Sequence, residues 1–410
     1  MRRVVITGLG TVSPLGCDME TVWKKLQAGE SGIGPITKFD ASAYASRIAG
    51  EISDFDPSVA VDRKAQRRMD EFSLFAMVAA KSAVEDSGID FSAGDPTRKG
   101  VIVSSGIGGM RTLEVQAKSM LERGPSRCSP FMIPQMIINM AGGLIAIEYN
   151  CQGPNFAVVT ACASASHGLG LSMHSIQRGE ADVIISGGTE ASVTTLGVGG
   201  FCAMRALSTR NDDPTAASRP FDVDRNGFVI ADGAAILVLE ELEHAKARGA
   251  KIYCELAGFG MTCDAFHMTA PSETGDGASR AIKMAMETAG VTPDEISYIN
   301  AHGTSTQLND AMETQAIKGA LGEAAKKVAV SSTKSMSGHM LGAAGGFEAA
   351  AVALALRDQV LPPTINHHQP DPKCDLDYVP NEARQTDVNV CLSNSLGFGG
   401  HNACVAFKKI

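Results

Sequence analysis

The sequence predicts an α/β protein that folds as two similar halves, residues 1–250 and 251–410. Short Val- and Ile-rich runs bounded by glycine alternate with amphipathic stretches along the whole chain. Such runs are typical of strands that helices cover on both faces, so we expect mostly parallel strands. The composition agrees with this class, since 44% hydrophobic and 20% charged residues in a chain of 410 are the balance of a well-packed globular protein.

A weak internal repeat indicates the two halves. The opening run 3–10 (RVVITGLG) has a counterpart at 254–260 (CELAGFG), and each half then contains a helix of small residues after a strand, at 163–177 and at 342–357. This shared order predicts a duplicated βα unit. Two stacked sheets with helices between and outside them would accommodate it. The halves would pack as one rigid body, because no long polar linker separates them.

The individual elements follow from the same patterns. The predicted strands share an apolar, mostly Val- and Ile-rich character and lie at 4–8, 100–104, 156–159, 182–186, 234–239, 252–257, 296–300, 328–331, 388–393 and 403–407. The amphipathic stretch 70–86 predicts a helix that places Phe72, Phe75 and Val78 on one face and stops at Gly88.

Composition and motifs exclude several classes of protein. A formal charge of −9 argues against a general nucleic-acid binder, and no apolar run reaches 18 residues, so we expect no transmembrane helix. The ten cysteines form no C-x-x-C pair, which argues against a zinc or redox motif and favours free thiols in the cytoplasm. We expect no cofactor, because the chain has neither a G-x-G-x-x-G nor a Walker A sequence.

Cys162 is the first candidate for chemistry. It lies in the run 159–167 (VTACASASH), where a predicted strand gives way to a helix of small residues. The positive end of a helix dipole stabilises a thiolate, and backbone N–H groups there can receive an oxyanion. An arbitrary cysteine is more often a buried core residue. The junction and two histidines elsewhere in the chain favour the functional interpretation here.

The first of these histidines, His302, directly follows the predicted strand 296–300. In α/β sheets, ligands gather at the carboxyl ends of strands. Thr304 and Thr306 place two hydroxyls beside it, which suits hydrogen bonding to an amide-bearing ligand. A capping turn with a structural histidine is the alternative.

The second histidine, His339, shares its block with Lys334, after the predicted strand 328–331. A lysine in apolar surroundings needs a counter-ion, and we expect Glu313, on the helix after His302, to provide it. A cysteine with two histidines from separate strand ends suits acyl chemistry on a thioester.

Two further segments carry a signal. In 394–402 (NSLGFGGHN), glycines surround Phe398, and such a loop can donate backbone N–H groups and swing a bulky side chain. The alternative is a tight hairpin turn, and we interpret His401 as structural. In 63–68 (RKAQRR), four cations stand in an otherwise acidic chain, either on a solvated helix face or as a docking surface for an acidic partner.

These blocks together resemble the condensing enzymes of the thiolase fold, in particular the 3-oxoacyl-[acyl-carrier-protein] synthases of bacterial fatty-acid synthesis. The resemblance covers essentially the whole chain. It implies a five-layer αβαβα fold of two duplicated halves and a homodimer. It also implies decarboxylative condensation of an acyl-enzyme with malonyl-acyl-carrier protein, with acyl carrier protein as partner.

The resemblance implies roles for the candidate residues. Cys162 would be the acylated nucleophile, and the backbone N–H groups of Cys162 and Phe398 would form the oxyanion hole. His302 and His339 would hold the malonyl thioester carbonyl and promote decarboxylation. Lys334, paired with Glu313, would organise the site, and Phe398 would gate the step from acyl loading to condensation.

Further roles concern binding. Thr304 and Thr306 would bind the pantetheine arm, and Ile107 would line the acyl pocket. The residues that would meet the carrier protein are cationic: Lys64, Arg67, Arg68 and Arg205, with Arg123 and Arg127 as weaker candidates. Some members of the family bind a monovalent cation, and the residues matching that site are Asn300, Glu348, Ser393 and Asn394.

Other functions stay open at this point. A ketosynthase subunit of a type II polyketide or other secondary pathway would share the same three catalytic residues. A thiolase would need a second cysteine where Phe398 stands, and a non-catalytic chain-length factor would lack Cys162. A cysteine protease would use a Cys-His-Asn relay, which two histidines and Lys334 at separate strand ends fit poorly.

Overall fold

A computed structural model describes residues 2–410. Within these residues, ten strands form one sheet: β1 Val4–Val12, β2 Lys99–Ser104, β3 Asn155–Phe156, β4 Val183–Glu190, β5 Gly233–Glu241, β6 Cys254–Cys263, β7 Tyr298–Asn300, β8 Ala329–Ser331, β9 Val390–Gly397 and β10 His401–Lys408. Each predicted strand overlaps one of them. Two small two-stranded sheets pair Gly34–Pro35 with Ile48–Ala49 and Val360–Leu361 with Arg384–Gln385.

The same residues form thirteen α-helices: α1 Met19–Ala28, α2 Arg63–Gln66, α3 Glu71–Ser87, α4 Met110–Arg123, α5 Met132–Met136, α6 Met140–Glu148, α7 Ser164–Gln177, α8 Thr195–Ala203, α9 Leu242–Ala247, α10 Asp276–Ala289, α11 Gln307–Leu321, α12 Lys334–Ser337 and α13 Ala344–Asp358. The predicted helix 70–86 is α3. Asp70 caps its first turn, and Gly88 ends it in the left-handed conformation at φ 65°.

The sheet consists of two five-stranded halves with the same strand order. One half runs β3-β2-β4-β5-β1, and the other runs β8-β7-β9-β10-β6. Counted along the chain, both orders are 3-2-4-5-1, and both have parallel pairing among the first three positions and antiparallel pairing after them. This repeat confirms the duplication that the sequence indicates.

The prediction of mostly parallel strands is wrong, because the sheet is mixed. β5 and β10 run antiparallel to both of their neighbours, and β1 joins β6 antiparallel through only two residue pairs. Strands buried on both faces read as continuous apolar runs whatever their direction. The apolar runs in the sequence therefore indicate which strands are buried, but they do not indicate the direction in which those strands run.

Five layers result because the two halves of this sheet form separate layers, with helices between them and outside them. α7 and α13 contact strands of both halves and form the middle layer, while α3 and α6 cover the first half and α10 and α11 cover the second. The two central helices approach closely because their residues are small, and a Cβ on Gly345 would lie 2.1 Å from Ser166 Oγ. Close packing of these two helices brings their N-terminal turns together in the interior. Among residues 2–410, no helix has the length and apolarity needed to cross a membrane.

Candidate active site

A cavity of about 570 Å³ contains most of the residues that the sequence singles out. Its lining includes Cys162, Ile107, His302, Thr304, Thr306, His339, Phe398 and Arg205. Leu308, also on the wall, is 66% exposed, so the cavity reaches the surface near the start of α11.

Cys162, His302 and His339 form a buried cluster in this cavity. One ligating atom from each lies within 4.8 Å of the others, and the two imidazole rings are 5.3 Å apart at an angle of 84°. β7 and β8 are parallel neighbours, so the segments carrying the two histidines leave the same edge of the sheet. The turn before α7 brings Cys162 to them. The fold thus joins three residues that are far apart in the chain.

Cys162 lies in a tight turn at the start of α7. Ala161 has a positive φ of 50°, and a 3-10 turn over Ala161–Ala163 leads into the helix. Ser164 Oγ holds this turn, accepting from Thr160 N at 2.9 Å and donating to the Ala161 carbonyl at 2.6 Å. A non-glycine residue at positive φ is strained, and such strain is found often at active sites.

Burial works against the thiolate that the helix N-terminus is predicted to stabilise. Burial raises the pKa of the Cys162 thiol to about 12, and the nearby Lys334 ammonium offsets this only in part. The thiol is therefore protonated at neutral pH, and it must lose its proton during the reaction. The dipole of α7 favours the thiolate, whereas desolvation opposes it.

Both histidines are neutral at neutral pH. Burial, and after it the positive charge of Lys334, holds the pKa of each imidazole well below its usual value. His339 is 2% exposed, and neither of its ring nitrogens has a hydrogen-bond partner within residues 2–410. Its backbone N–H donates to the Val229 carbonyl at 2.7 Å, which fixes the main chain while the ring faces the cavity.

The predicted pairing of Lys334 with Glu313 is also wrong. The Lys334 ammonium pairs with Glu348 on α13, and both side chains are almost fully buried. Glu313 instead accepts hydrogen bonds from the backbone N–H groups of His302 and Gly303, each at 2.8 Å. The orientation of α11 turns Glu313 toward the loop after β7, whereas α13 presents Glu348 directly to Lys334.

The loop that carries Phe398 abuts the nucleophile turn. A Cβ on Gly397 would lie 2.4 Å from the Thr160 carbonyl and 3.3 Å from Cys162 N. Only glycine fits this contact, which brings the backbone just before Phe398 against Cys162. The Phe398 ring packs 6.5 Å from that of Phe201.

Glu190 is a buried carboxylate that the sequence analysis did not single out. It ends β4 and accepts four hydrogen bonds, from Ser105 Oγ at 2.9 Å and from the backbone N–H groups of Gly106, Ile107 and Gly342 at 2.8, 3.1 and 3.0 Å. It thereby ties the loop of Ile107 to the turn that follows His339. The sequence feature that could have identified Glu190 is its position as a carboxylate at the end of an apolar strand (183–190, VIISGGTE).

Several buried polar atoms lack hydrogen-bond partners within residues 2–410, one of them on Glu348, the partner of Lys334. They include both side-chain atoms of Asn300, Oε2 of Glu348, Oγ of Ser393 and Oδ1 of Asn394. Asn300 and Ser393 are register partners on β7 and β9. A group of desolvated oxygen atoms that includes a carboxylate fits a hard cation, which prefers oxygen ligands.

The remaining candidates divide by position. Thr304 and Thr306 share a hydroxyl–hydroxyl hydrogen bond of 2.9 Å on the cavity wall, and Thr306 also caps α11. Arg205 is exposed at the cavity. The other predicted docking residues lie outside its lining on exposed surface, on or just after α2: Lys64, Arg67 and Arg68.

The duplicated fold and the buried thiol with two neutral imidazoles are together those of a thiolase-like condensing enzyme. Residues 1–245 match the family model described as beta-ketoacyl synthase, N-terminal domain, and residues 253–368 match beta-ketoacyl synthase, C-terminal domain. The chain belongs to the beta-ketoacyl synthase family.

Curated relatives match over the full length. The chain is 54% identical to "3-oxoacyl-[acyl-carrier-protein] synthase 2" of Synechocystis sp. over 408 residues, covering all of this chain and 98% of that protein. It is 51% identical to the protein of the same name from Coxiella burnetii over 409 residues, covering all of this chain and 99% of that protein.

Solved structures are similar at lower identity. One is a type II polyketide-synthase acyl-carrier protein in complex with its ketosynthase, with a TM-score of 0.93, 35% identity, and coverage of all of this chain and 99% of that chain. Another is a beta-ketoacyl synthase from Burkholderia phymatum, with a TM-score of 0.92, 34% identity and full coverage of both chains.

Proposed function

We propose that this protein elongates fatty acids by condensing an acyl-enzyme thioester with malonyl-acyl-carrier protein, which yields a 3-oxoacyl-acyl-carrier protein and carbon dioxide. The observation that carries the proposal is the buried Cys162–His302–His339 cluster. The full-length likeness to 3-oxoacyl-[acyl-carrier-protein] synthase 2 of Synechocystis sp. and of Coxiella burnetii supports the substrate class.

In the first step, the Cys162 sulfur attacks the thioester carbonyl of acyl-carrier protein. The thiol proton passes to a neutral imidazole of the cluster and then to the departing carrier thiol, so a new thioester forms as the old one breaks. The backbone N–H groups of Cys162 and Phe398 receive the oxyanion of the tetrahedral intermediate. The contact of Gly397 with the nucleophile turn supports this placement.

In the second step, His302 and His339 donate hydrogen bonds to the thioester carbonyl of the malonyl group. Carbon dioxide leaves, and the electrons of the broken C–C bond form an enolate that attacks the acyl-Cys162 carbonyl. The C–S bond then breaks, and the Cys162 thiolate takes up a proton from solvent. Neutral imidazoles suit this role because they stabilise developing negative charge without a strong base.

Other residues hold the substrates. Lys334 and Glu348 position the two histidines, and Glu313 fixes the backbone of His302. Thr304 and Thr306 bind the pantetheine arm along the cavity wall. Ile107 lines the acyl pocket, and Phe398 gates the step from acyl loading to condensation.

The carrier protein docks on a cationic surface. Arg205 lies at the cavity, and the exposed residues Lys64, Arg67 and Arg68 form a second cationic group. Complementary charge steers an acidic partner to such a surface. The polyketide ketosynthase structure that contains an acyl-carrier protein supports a partner of this class.

The protein assembles as a homodimer through the face around β3. This strand ends the sheet and is exposed, which leaves its backbone free to pair with another chain. Apolar side chains on β3 and on other segments of the same half are exposed as well: Leu121, Ile133, Ile147, Phe156 and Val159. Exposed apolar patches of this kind mark protein interfaces.

Three smaller assignments complete the proposal. Asn300, Glu348, Ser393 and Asn394 hold a monovalent cation, and this ion neutralises buried acceptors behind the histidines. The protein works in the cytoplasm, in accord with its free cysteines. The duplicated halves divide at residue 250.

A ketosynthase subunit of a type II polyketide pathway is the second candidate, favoured by the likeness to the polyketide complex. The higher identity to the fatty-acid synthases places it behind the first proposal. Incubation with malonyl-acyl-carrier protein and eight- or sixteen-carbon acyl donors separates them. One round of extension with release of carbon dioxide supports fatty-acid elongation. Repeated extension without intervening reduction supports the polyketide pathway, and no product from either donor contradicts the elongation proposal.

A further inference from the structure

The Cys162–His302–His339 cluster has the donor set of a metal site as well as that of an acyl-transfer site. Each side chain offers one ligating atom, and the three atoms lie within 4.8 Å of one another. All three residues are buried, and Nδ1 of His302 and both ring nitrogens of His339 have no hydrogen-bond partner within residues 2–410.

The spacing is close to what a soft divalent cation requires. Around a tetrahedral Zn²⁺, sulfur lies at about 2.3 Å and nitrogen at about 2.0 Å, so neighbouring ligand atoms are about 3.5 Å apart. Side-chain rotations that move each donor by about 1 Å would close the present spacing around an ion. The cavity in front of the cluster leaves the fourth coordination position open to water.

The surrounding charges permit a cation at this position. The positive charge of Lys334 opposes a cation here, but its ammonium is paired with Glu348, which reduces the opposition. The thiol would release its proton to solvent as it binds the ion, so the thiolate would contribute one compensating negative charge. Sulfur and imidazole donors favour zinc-type ions over the hard cations that suit the oxygen cluster around Asn300.

We propose that Cys162, His302 and His339 bind Zn²⁺, with Cd²⁺ as a substitute, at an inhibitory site. The ion binds the Cys162 sulfur and both imidazoles at once. The inhibition is reversible, because a chelator removes the ion. Metal binding itself does not depend on the reaction. The inhibition rests on the proposed function, because an occupied Cys162 cannot accept an acyl chain.

Protection of the native protein from alkylation tests the site directly. The full-length protein is treated with iodoacetamide at increasing buffered free Zn²⁺, and alkylation of each cysteine is followed by peptide mass spectrometry. We expect Zn²⁺ to protect Cys162 and to leave Cys263, an exposed thiol, reactive. Equal protection of both thiols, or none at Cys162, would overturn the proposal.

Equilibrium dialysis against Zn²⁺, and the ultraviolet thiolate-to-cadmium band with Cd²⁺, give the stoichiometry and affinity. We expect one ion per chain, and Cys162→Ser or His339→Gln should weaken binding on the order of 100-fold, whereas Cys263→Ser should leave it unchanged. If Cys263→Ser lost the ion while Cys162→Ser and His339→Gln kept it, the assignment of the site to Cys162, His302 and His339 would be contradicted. Because no substrate is present, a protein that binds Zn²⁺ but forms no 3-oxoacyl product would refute the proposed function and leave this inference standing.

Discussion

Lys334 and Glu348 form a buried ion pair between α12 and α13, near enough to the two imidazoles of the site for the lysine charge to act on both rings. The pair explains how a lysine can be 2% exposed in the protein interior. It also places a positive charge near the site, which lowers the pKa of His302 and His339 and offsets in part the raised pKa of Cys162. The pair is therefore an electrostatic part of the site as well as a structural one.

Removing one member of this pair should destabilise the protein strongly. Glu348→Gln leaves the Lys334 ammonium buried without a counter-ion, and we expect a loss of about 3–5 kcal/mol in the free energy of unfolding. Urea denaturation measures this loss. In a Lys334→Met background the same substitution should cost much less, whereas the cost of Glu313→Gln should be unchanged. If Lys334→Met rescued Glu313→Gln instead, the pairing would be misassigned.

Glu190 should influence the choice of acyl chain. Glu190→Gln replaces one carboxylate oxygen with an NH₂ group, which cannot accept hydrogen bonds from the backbone N–H groups that it faces. The loop of Ile107 then loses part of its attachment to β4. We expect a loss of about 1–3 kcal/mol in stability and a changed ratio of kcat/KM between sixteen- and eight-carbon donors. Glu180→Gln, at an exposed position, is the matched control. An unchanged ratio in the Glu190 variant would argue that the loop does not shape the pocket.

Activity should persist on the acid side of neutrality. The pKa values of His302 and His339 lie well below the ordinary value of 6.5 because both rings are buried. An unperturbed histidine would take up a proton as the pH falls through 6.5, whereas these two stay neutral until lower pH. We expect kcat to show no acid limb centred near 6.5 when it is measured from neutral pH downward. A midpoint near 6.5 would show that at least one ring is solvated.

The contact of Gly397 with the nucleophile turn should be essential for acylation. Gly397→Ala places a methyl group 2.4 Å from the Thr160 carbonyl, so the backbone before Phe398 must move away from Cys162. A displacement of about 1 Å at a reacting centre can reduce the rate of the chemical step on the order of 100-fold, and we expect a loss of this order in the rate of Cys162 acylation. Acylation of Cys162 is measured by mass spectrometry of intact protein. Gly200→Ala, where an added Cβ meets no atom within 4 Å, should acylate at the normal rate.

Asp182 should stabilise the N-terminal half in a pH-dependent way. Hydrogen bonds from Arg98 and Arg2 lower the pKa of its carboxyl to about 2, below the ordinary value of 3.8. The stabilisation is therefore present above pH 3.8 and is lost as the pH falls toward 2.

Asp182→Asn tests this dependence. After allowance for partial solvent screening, we expect it to cost about 1–2 kcal/mol at pH 7, with the difference narrowing below pH 4. Urea denaturation across this range, with the exposed Glu287→Gln as control, measures the effect. A difference that stays constant with pH would contradict the ion pairing.

The sequence by itself determined the local elements and the chemical groups of the site. Val- and Ile-rich runs specify strands, and the amphipathic stretch 70–86 with the stop Gly88 specifies α3 to within a residue at each end. Cys162 at a strand–helix junction and His302 after a strand were visible because the order of neighbours along the chain encodes these positions. The duplication was visible for the same reason.

Only the tertiary structure decided how these groups act on one another. Three features depend on which groups face each other across elements that are distant in sequence. They are the direction of the strands, the pairing of Lys334 with Glu348 and not with Glu313, and the hydrogen bonds of Glu190. The protonated state of Cys162 depends on burial, which arises only when distant elements pack around the thiol. Periodicity encodes the buried face of each element, whereas orientation and electric field arise only when the elements pack together.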